Sequence, residues 1–306
     1  MNNFRVSTSP HIYDNSTTSR IMLDVLIALV PAFVASILIF GHRAALVTAV
    51  CVASCVLFEW VFNRITKKLN TIGDFSACIT GVLLAFNLTV TIPLWQAVFG
   101  SAVAIILVKQ IFGGLGKNFA NPAVTARIVM FLAFAVPMTT WVSPIDAVTG
   151  ATPLALIGRG DIYALPGIWD MFIGVRGGSL GETSNLALLI GGIYLVFRKV
   201  ITWHAPVTFI AVVFVFSTLL GQQPVHQLFG GGLFLGAIFM ATDYVTSPQT
   251  NKGRLMFGVG CGLFTVLFRF YSSYPEGVSF AILLMNILTP YINRFTMTKP
   301  FGGVKS

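Results

Sequence analysis

Apolar residues run in long stretches along this chain, and short polar turns separate them. A helix that spans a bilayer needs about 20 mostly apolar residues, because each residue rises about 1.5 Å and the hydrocarbon layer is about 30 Å thick. Ten stretches reach or approach that length, of which the third, sixth and eighth are short. They cover residues 21–40, 44–63, 75–90, 94–113, 120–139, 184–198, 203–221, 228–244, 255–272 and 277–293. The pattern predicts an all-α polytopic membrane protein.

The composition agrees with a bilayer as the solvent. Of the 306 residues, 56% are hydrophobic and only 9% are charged, whereas a soluble domain is about 25% charged. A net charge of +9 would suggest a nucleic-acid partner for a soluble protein. Here no basic run is interleaved with aromatic residues, and membrane proteins concentrate Lys and Arg in cytoplasmic loops. We therefore expect membrane lipid, and no nucleic acid, around this chain.

The loop charges also predict an orientation. If the N-terminus is cytoplasmic, most Lys and Arg residues of the loops fall on the cytoplasmic side. Those on the other side are Arg43, Arg159, Arg176 and Arg269. The chain then divides into a cytoplasmic N-terminal segment 1–20, a transmembrane half 21–139, an external loop 140–183, a second transmembrane half 184–293 and a cytoplasmic tail 294–306. Both termini are expected in the cytoplasm.

A faint internal repeat relates the two halves. The segment ITGVLLAFNLTVTIP (79–93) resembles LGAIFMATDYVTSP (235–248). Each lies in the third helix of a set of five, and because five is odd, the two halves must be inverted in the membrane. Inverted repeats usually place functional groups at the midplane, on broken helices. About ten helices in two inverted five-helix halves are therefore the expected fold.

The segment with the most specific chemistry is the external loop around Thr152. Gly150 and Ala151 remove side-chain bulk ahead of this threonine, and Pro153 disfavours a helical conformation at Thr152 itself. Asp146 adds a carboxylate six residues upstream. These features suit an accessible hydroxyl that another enzyme could modify, although an ordinary Gly/Pro turn would contain the same residue types.

Residues 146–152 match D-x-x-[ST]-G-A-[ST], the recognition pattern of the transferase that links FMN through its phosphate to a threonine or serine. Four further segments strengthen a family resemblance: VSTSPHIYDNSTTSRIMLDVLIALVPA (6–32), GGLGKNFANPA (113–123), GGSLGETS (177–184) and FAILLMN (280–286). Together they make nearly the whole chain resemble the D subunits of Rnf electron transport complexes. The B subunit of the sodium-pumping NADH:quinone reductase is a related, longer protein with the same fold.

The resemblance implies a flavin-carrying subunit of a redox-driven Na⁺ or H⁺ pump in the bacterial cytoplasmic membrane. FMN would be esterified to Thr152 by a flavin transferase outside the cytoplasm, and a second flavin, riboflavin, would bind non-covalently among the helices. Ferredoxin and NAD⁺ would bind to partner subunits, which include a second covalent-FMN subunit and iron–sulfur subunits. Because the flavins carry the chemistry, we assign no catalytic residue, and the chain is not expected to be active alone.

Several other polar residues are candidates for flavin contacts, each with a structural alternative. Arg176 could neutralise the FMN phosphate, and Thr183 or Ser184 could contact the phosphate or ribityl chain, or simply cap a helix. Asn118 and Asn121 could bind flavin carbonyls or cap the fifth span.

Charged residues inside the predicted spans raise a similar choice. Asp243, in the eighth span, could bind an ion or a flavin, or accept from backbone N–H groups. Arg127 needs a partner because a charge inside a membrane span is expensive. Lys109 is expected to extend to the membrane interface.

The cysteines and histidines lack metal-ligand spacing, so no metal site is predicted. The cysteines are interpreted as small buried apolar residues. Two other classes of function remain open from the residues alone. One is an inverted-repeat channel or transporter for a small solute without a redox cofactor, and the other is a structural scaffold subunit.

Overall fold

The computed structural model describes residues 17–68, 71–142, 150–272 and 277–297, and within them it contains helices and turns but no β-strand. The helices are α1 (Thr18–Phe40), α2 (His42–Ile65), α3 (Ser76–Phe86), α4 (Leu94–Ala102, continued by the π-helical Val103–Gln110), α5 (Pro122–Ala133), α6 (Ala135–Thr139), α7 (Pro153–Arg159), α8 (Ile168–Ile173), α9 (Asn185–Phe197), α10 (His204–Leu219), α11 (Pro224–Phe229), α12 (Leu233–Leu235, continued by the π-helical Gly236–Met240), α13 (Asn251–Tyr271) and α14 (Val278–Thr296). Short 3₁₀ turns occur at Ile72–Asp74 and Ile162–Ala164. The all-helical expectation is confirmed.

Four helices are long and apolar enough to cross a membrane: α1, α2, α13 and α14. They coincide with predicted spans at both ends of the chain. Helix α1 has 23 residues, which at about 1.5 Å per residue exceeds the thickness of the hydrocarbon layer. Thr17 begins it by accepting a hydrogen bond from the backbone N–H of Arg20, as an N-cap residue does. The chain is a multi-pass membrane protein.

Five further apolar helices have 10–17 residues each: α3, α4, α5, α9 and α10. The third and sixth predicted spans, which correspond to α3 and α9, are short as expected. Two predicted spans are wrong as continuous helices. The span 120–139 breaks at Phe134, where φ is −131° and ψ is 55°, and the span 228–244 breaks at residues 230–232. Gly231 there has a φ of +61°, a conformation that glycine adopts without steric cost and that ends a helix.

The two repeat segments meet inside the bundle. Asn87 directly follows α3 as its C-cap residue, and its Nδ2 lies 3.9 Å from Sδ of Met240, at the end of the π-helical continuation of α12. The backbone carbonyl of Met240 accepts a hydrogen bond of 3.4 Å from Nδ2 of Asn121, the residue that begins α5. The sequence repeat therefore brings two short helix ends together in the core. Their inversion stays a prediction.

Glycines allow the closest helix contacts. A Cβ on Gly191 of α9 would collide with the carbonyl oxygen of Ala28 in α1. A Cβ on Gly258 of α13 would lie 2.7 Å from the carbonyl oxygen of Ala205 in α10. Small residues at such positions let helix backbones approach in membrane proteins, where van der Waals packing drives association.

The segment 140–183 is not an open loop in its described part. It forms α7, a 3₁₀ turn and α8, and then returns to the bundle. The backbone N–H groups of Leu180 and Gly181 donate to the carbonyls of Leu88 and Phe86, each at 3.0 Å. Carbonyls at the end of a helix lack intrahelical donors, so the returning segment satisfies the end of α3. This contact places residues 177–184 among the transmembrane helices.

Candidate functional site

Thr152 begins α7. Its Oγ1 accepts a hydrogen bond of 3.2 Å from the backbone N–H of Ala155, and Pro153 occupies the first helical position, where the lack of an N–H has no cost. The side chain of Thr152 is only 5% exposed. The expectation of an accessible hydroxyl on an open loop is therefore wrong for this conformation. Asp146, the first residue of the acceptor pattern, lies outside the described residues.

Burial of Thr152 follows from how α7 packs. Leu154, which is 3% exposed, lies against the glycine turn between α11 and α12. A Cβ on Gly230 or Gly231 would come within 2.9 Å of its side chain. The turn thus leaves space for Leu154 because it lacks side chains. A bulkier residue at either glycine would push α7 and Thr152 outward.

Arg176 binds the same glycine turn. Its Nη2 donates to the carbonyl oxygens of Glu182, at 2.9 Å, and of Gly231, at 3.4 Å. The guanidinium thus joins the segment before α9 to the turn before α12. Arg176 therefore has a structural role, and its role as a counter-charge for the FMN phosphate stays a prediction.

Ser184 and Thr183 lie where α9 begins. Ser184 Oγ accepts from the backbone N–H of Ala187 at 3.4 Å, so the capping alternative is confirmed for it. Thr183 is 1% exposed, and its methyl group lies 3.2 Å from where a Cβ on Gly178 would be. Both side chains therefore belong to the packed interior around the returning segment.

Arg127 has a buried partner, as its place in an apolar helix requires. Its Nη1 lies 2.5 Å from Glu182 Oε1, 2.7 Å from Asn87 Oδ1 and 3.2 Å from Ser279 Oγ. All four residues are buried. The ion pair therefore ties the segment before α9 to α3, α5 and α14. The sequence predicts that Arg127 has a partner but does not identify Glu182. Glu182 lies directly before the predicted span 184–198, and a carboxylate in that position could have indicated the partner.

Lys109 forms a second buried ion pair. Its Nζ lies 2.8 Å from Glu59 Oε2 and 2.6 Å from Ser76 Oγ, and the lysine is 2% exposed. The prediction that Lys109 extends to the interface is wrong, because α2 supplies an anion inside the bundle. Glu59 was missed by sequence reasoning. The π-helical end of α4 carries Lys109, and such turns often mark functional positions.

Replacing Lys109 by methionine is expected to destabilise the protein by roughly 3 kcal/mol, because removing one member of a buried ion pair leaves the other uncompensated. Glu59 Oε1 keeps a hydrogen bond of 2.7 Å from the hydroxyl of Thr71, which limits the loss. Thermal denaturation in detergent measures the effect. The double variant Glu59→Leu/Lys109→Met should recover most of the stability, and a Lys109→Met variant as stable as wild type would contradict the pairing.

Asn118, Asn121 and Asp243, which the sequence analysis treats as separate candidates, come together in the structure. They line a cavity of about 60 Å³ that also includes Lys109 and Ser76. Asn118 Nδ2 donates to the carbonyl of Ala120 at 3.0 Å.

The structural alternatives for two of these residues are observed. Asn121 Oδ1 caps α5 by accepting from the N–H groups of Ala123 and Val124. Asp243 accepts from the backbone N–H groups of Tyr244 and Val245 and from the Thr246 hydroxyl at 3.1 Å.

Two further cavities continue from this cluster, one of the same size and one larger. A second cavity of about 60 Å³ shares Asn121 and Asp243 with the first. A third, of about 320 Å³, shares Thr242 and Tyr244 with the second and carries the cations Lys199 and Arg254 on its wall. A series of cavities therefore leads from the polar cluster to the end of the bundle where α9 ends and α13 begins.

The cysteines have no redox or metal partner in the part of the chain described. Cys51, Cys55 and Cys261 are buried and Cys78 is half-buried, and all are free thiols. No group of three His, Cys, Asp and Glu side chains within the described ranges could hold a metal ion. The interpretation of the cysteines as buried apolar residues is confirmed for three of them.

The chain matches the NQR2, RnfD, RnfE family over residues 5–302. That match covers almost the entire sequence, including α1 to α14 and the Thr152 segment. The chain therefore belongs to this family of membrane proteins.

Curated relatives narrow the likeness to one type of subunit, the D subunit of ion-translocating complexes. The chain is 46% identical to that of the Na⁺-translocating ferredoxin:NAD⁺ oxidoreductase complex of Acetobacterium woodii, over 99% of this chain and 96% of the relative. It is 40% identical to the D subunit of the proton-translocating ferredoxin:NAD⁺ oxidoreductase complex of Clostridium ljungdahlii, over 98% of this chain and 97% of the relative. It is 35% identical to that of the ion-translocating oxidoreductase complex of Erwinia tasmaniensis, over 99% of each chain.

Proposed function

We propose that this chain is the flavin-carrying membrane subunit of a multi-subunit pump that couples electron transfer to movement of Na⁺ or H⁺. The observation that carries the proposal is the complete flavin-acceptor pattern at residues 146–152 in a member of the NQR2, RnfD, RnfE family. Relatives of the D type are named for ferredoxin:NAD⁺ oxidoreductase complexes. A solute channel without a cofactor would not need this pattern.

The chemistry of Thr152 fits a phosphoester to FMN. Its Oγ1 is held at the N-cap by accepting from the Ala155 N–H, a contact that an ester oxygen can keep. Because the side chain is buried, the transferase must act before α7 docks on the glycine turn, or α7 must swing away from it. Attachment is therefore expected to precede the packing of Leu154 against Gly230 and Gly231.

A bound flavin supplies the ability to accept and release electrons, while the chain positions it. The Arg127–Glu182 pair lies between the two proposed flavin regions. On one side, a Cβ on Gly232 of the turn that receives α7 would touch Glu182. On the other side, Asn87 contacts both Arg127 and Met240. We infer that this ion pair sets the electrostatic environment between an FMN on Thr152 and a second flavin in the membrane.

For the second, non-covalent flavin, the polar cluster alone does not fit. Cofactor sites enclose roughly 300–1,000 Å³, and the cavities beside Asn118, Asn121 and Asp243 are about 60 Å³ each. The adjoining cavity of about 320 Å³ has the necessary size. We therefore place riboflavin in that larger cavity, with Thr242 and Tyr244 between it and Asp243.

A Ser247→Trp substitution should exclude this second flavin, because Ser247 lines the 320 Å³ cavity and an indole would fill much of it. Acid extraction and chromatography of the purified protein then measure released riboflavin, with a several-fold loss expected. Ser247→Ala is the matched control and should retain it. Normal riboflavin in the tryptophan variant would show that the flavin binds elsewhere.

The protein is expected to work only in its complex. Partners would include a second covalent-FMN subunit, iron–sulfur subunits that deliver or remove electrons, and the flavin transferase during maturation. The loop charges favour cytoplasmic termini and an external Thr152. The flavin transferase that the family resemblance implies also acts outside the cytoplasm. This orientation puts FMN and riboflavin on opposite sides of the membrane core.

Mass spectrometry of the peptide that covers residues 141–159 tests the central proposal. Protein made together with the transferase should carry the added mass of FMN less one water on this peptide, with fragmentation locating it at Thr152. An unmodified peptide under these conditions would favour the solute transporter. A modified Thr152 whose removal leaves the complex fully active would favour the scaffold.

A further inference from the structure

Helix α8 has one apolar face that is exposed on the surface of the described structure. Ile168, Trp169 and Ile173 are all exposed, Trp169 by 74%. At about 100° per residue, these three side chains fall within about 140° of the helix circumference. Met171, on the other side of the helix, is buried. A group of exposed apolar side chains of this kind marks a surface for another protein or for a membrane.

The buried side of α8 is fixed to the helix bundle. The ring of Phe172 packs against that of Phe229 in α11, with ring centroids 5.4 Å apart. Gly174, which directly follows α8, approaches the start of α9 closely, since a Cβ on it would lie 2.9 Å from Cα of Ser184. The exposed face therefore belongs to a packed element whose position relative to the transmembrane helices is defined.

The depth of α8 in the membrane follows from its contact with α1. A Cβ on Gly174 would lie 3.0 Å from Cδ1 of Ile39, in the last turn of α1. The exposed apolar residues of α1 form a stripe that runs as far as this turn, namely Leu23, Ile27, Val30, Val34 and Leu38. The stripe covers about 22 Å at 1.5 Å per residue, which fits within a hydrocarbon layer of about 30 Å. Helix α8 therefore lies beside the end of a lipid-facing stripe.

The packing of α9 gives the same depth. Arg198, which directly follows α9, pairs with Asp24 of α1 at 3.1 Å, so the two helices share a level there. Because the Arg198 side chain is 41% exposed, this ion pair belongs near a membrane surface. Ser184 and Ile39 each lie about 20 Å from the pair along their helices, and Gly174 contacts both. Helix α8 is thus close to the opposite surface of the membrane.

We propose that the exposed face of α8 is a membrane anchor, which lies in the lipid at the boundary between headgroups and acyl chains. Tryptophan is enriched at this boundary, because its ring is apolar and its N–H is polar. Asp170, the only charged residue of α8, lies in the first turn. There its carboxylate interacts favourably with the positive end of the helix and remains among the headgroups.

The anchor acts on the helix that Thr152 begins. Phe229, which packs on Phe172, directly precedes the glycine turn at 230–232, and Leu154 of α7 packs against that turn. Contacts therefore run from the membrane surface through α8 and α11 to α7, and they hold α7 at that surface. This role needs no flavin on Thr152, so it is independent of the proposed function.

The fluorescence of Trp169 tests the anchor in the full-length chain. Wild type and Trp169→Phe are placed in nanodiscs of phosphatidylcholine, with or without bromine atoms on the acyl chains. The difference between their emission spectra reports Trp169 alone, and phenylalanine keeps a ring beside Phe172, whose centroid is 6.1 Å from that of Trp169. Brominated lipid should remove more than half of the Trp169 emission. Iodide in the buffer should quench it several-fold less than it quenches free tryptophan amide.

A second reporter covers the other edge of the face. Ile173→Trp, made in the Trp169→Phe background, should be quenched by brominated lipid to a similar extent. Emission that bromine leaves unchanged at either position would overturn the proposal. In that case, strong iodide quenching in the isolated chain that disappears in the intact complex would show that a partner subunit covers the face instead of lipid.

Discussion

Thr152→Asn protein, made together with the flavin transferase, is expected to give a denatured band with no flavin fluorescence. The phosphoester needs a hydroxyl oxygen, which asparagine lacks. Asparagine is nevertheless among the best N-cap residues, so it can replace the Thr152 contact to the Ala155 N–H. The asparagine variant therefore removes the flavin without destabilising α7. A Thr152→Ala variant would also remove the N-cap and cost about 1 kcal/mol of stability, so the two effects could not be separated.

Two further variants make this test specific. Thr152→Ser keeps both the hydroxyl and the cap, and because the acceptor pattern admits serine, it should stay fluorescent. Thr218→Ala, a change at an exposed hydroxyl of α10, should have no effect. A Thr152→Asn band as bright as wild type would mean that any covalent flavin is attached to another residue.

Glu182→Ala is expected to produce a larger loss of stability than Lys109→Met does. It leaves Arg127, which is 7% exposed, without its carboxylate partner in a short apolar helix. Breaking a buried ion pair costs roughly 3–5 kcal/mol, and we expect the upper end because Arg127 also orients Asn87 and Ser279. The change is measured by heating the protein in detergent and monitoring the loss of monodisperse protein.

A double-mutant cycle isolates the pair from the packing around it. Arg127→Met and Glu182→Leu should each be strongly destabilising alone, whereas the double variant should regain most of the lost stability, since apolar replacements of a buried pair are often neutral. Additive losses in the double variant would contradict a direct interaction. The same double variant, if it folds, should still carry FMN but should transfer electrons poorly between the two flavin regions.

The sequence predicted the broad architecture well because membrane insertion depends on local composition. A run of about 20 apolar residues satisfies its own backbone hydrogen bonds as a helix, whatever its neighbours are. The helices α1, α2, α13 and α14 therefore lie close to their predicted bounds. Local capping was also readable, since Asn121 is followed by Pro122 and accepts from the next N–H groups.

Breaks within helices were harder to predict. The predicted span 228–244 runs through the glycine turn at 230–232, since glycine is common in membrane helices and does not interrupt the apolar pattern. Only the docking of Leu154 shows why these residues must leave the helix. Similarly, the sequence predicts residues 177–183 as the end of an external loop. In the structure the N–H groups of Leu180 and Gly181 donate to the carbonyls of Leu88 and Phe86 inside the bundle.

For the site, the acceptor pattern at Thr152 could be read from the sequence, because a modifying enzyme recognises a short contiguous segment. Helix packing determines that Thr152 is buried, that Arg127 pairs with Glu182 across 55 positions and Lys109 with Glu59 across 50, and that a cavity lies beside α7. Buried charges are stable only next to a partner. That partner is set by how helices distant in sequence pack, which no local pattern specifies.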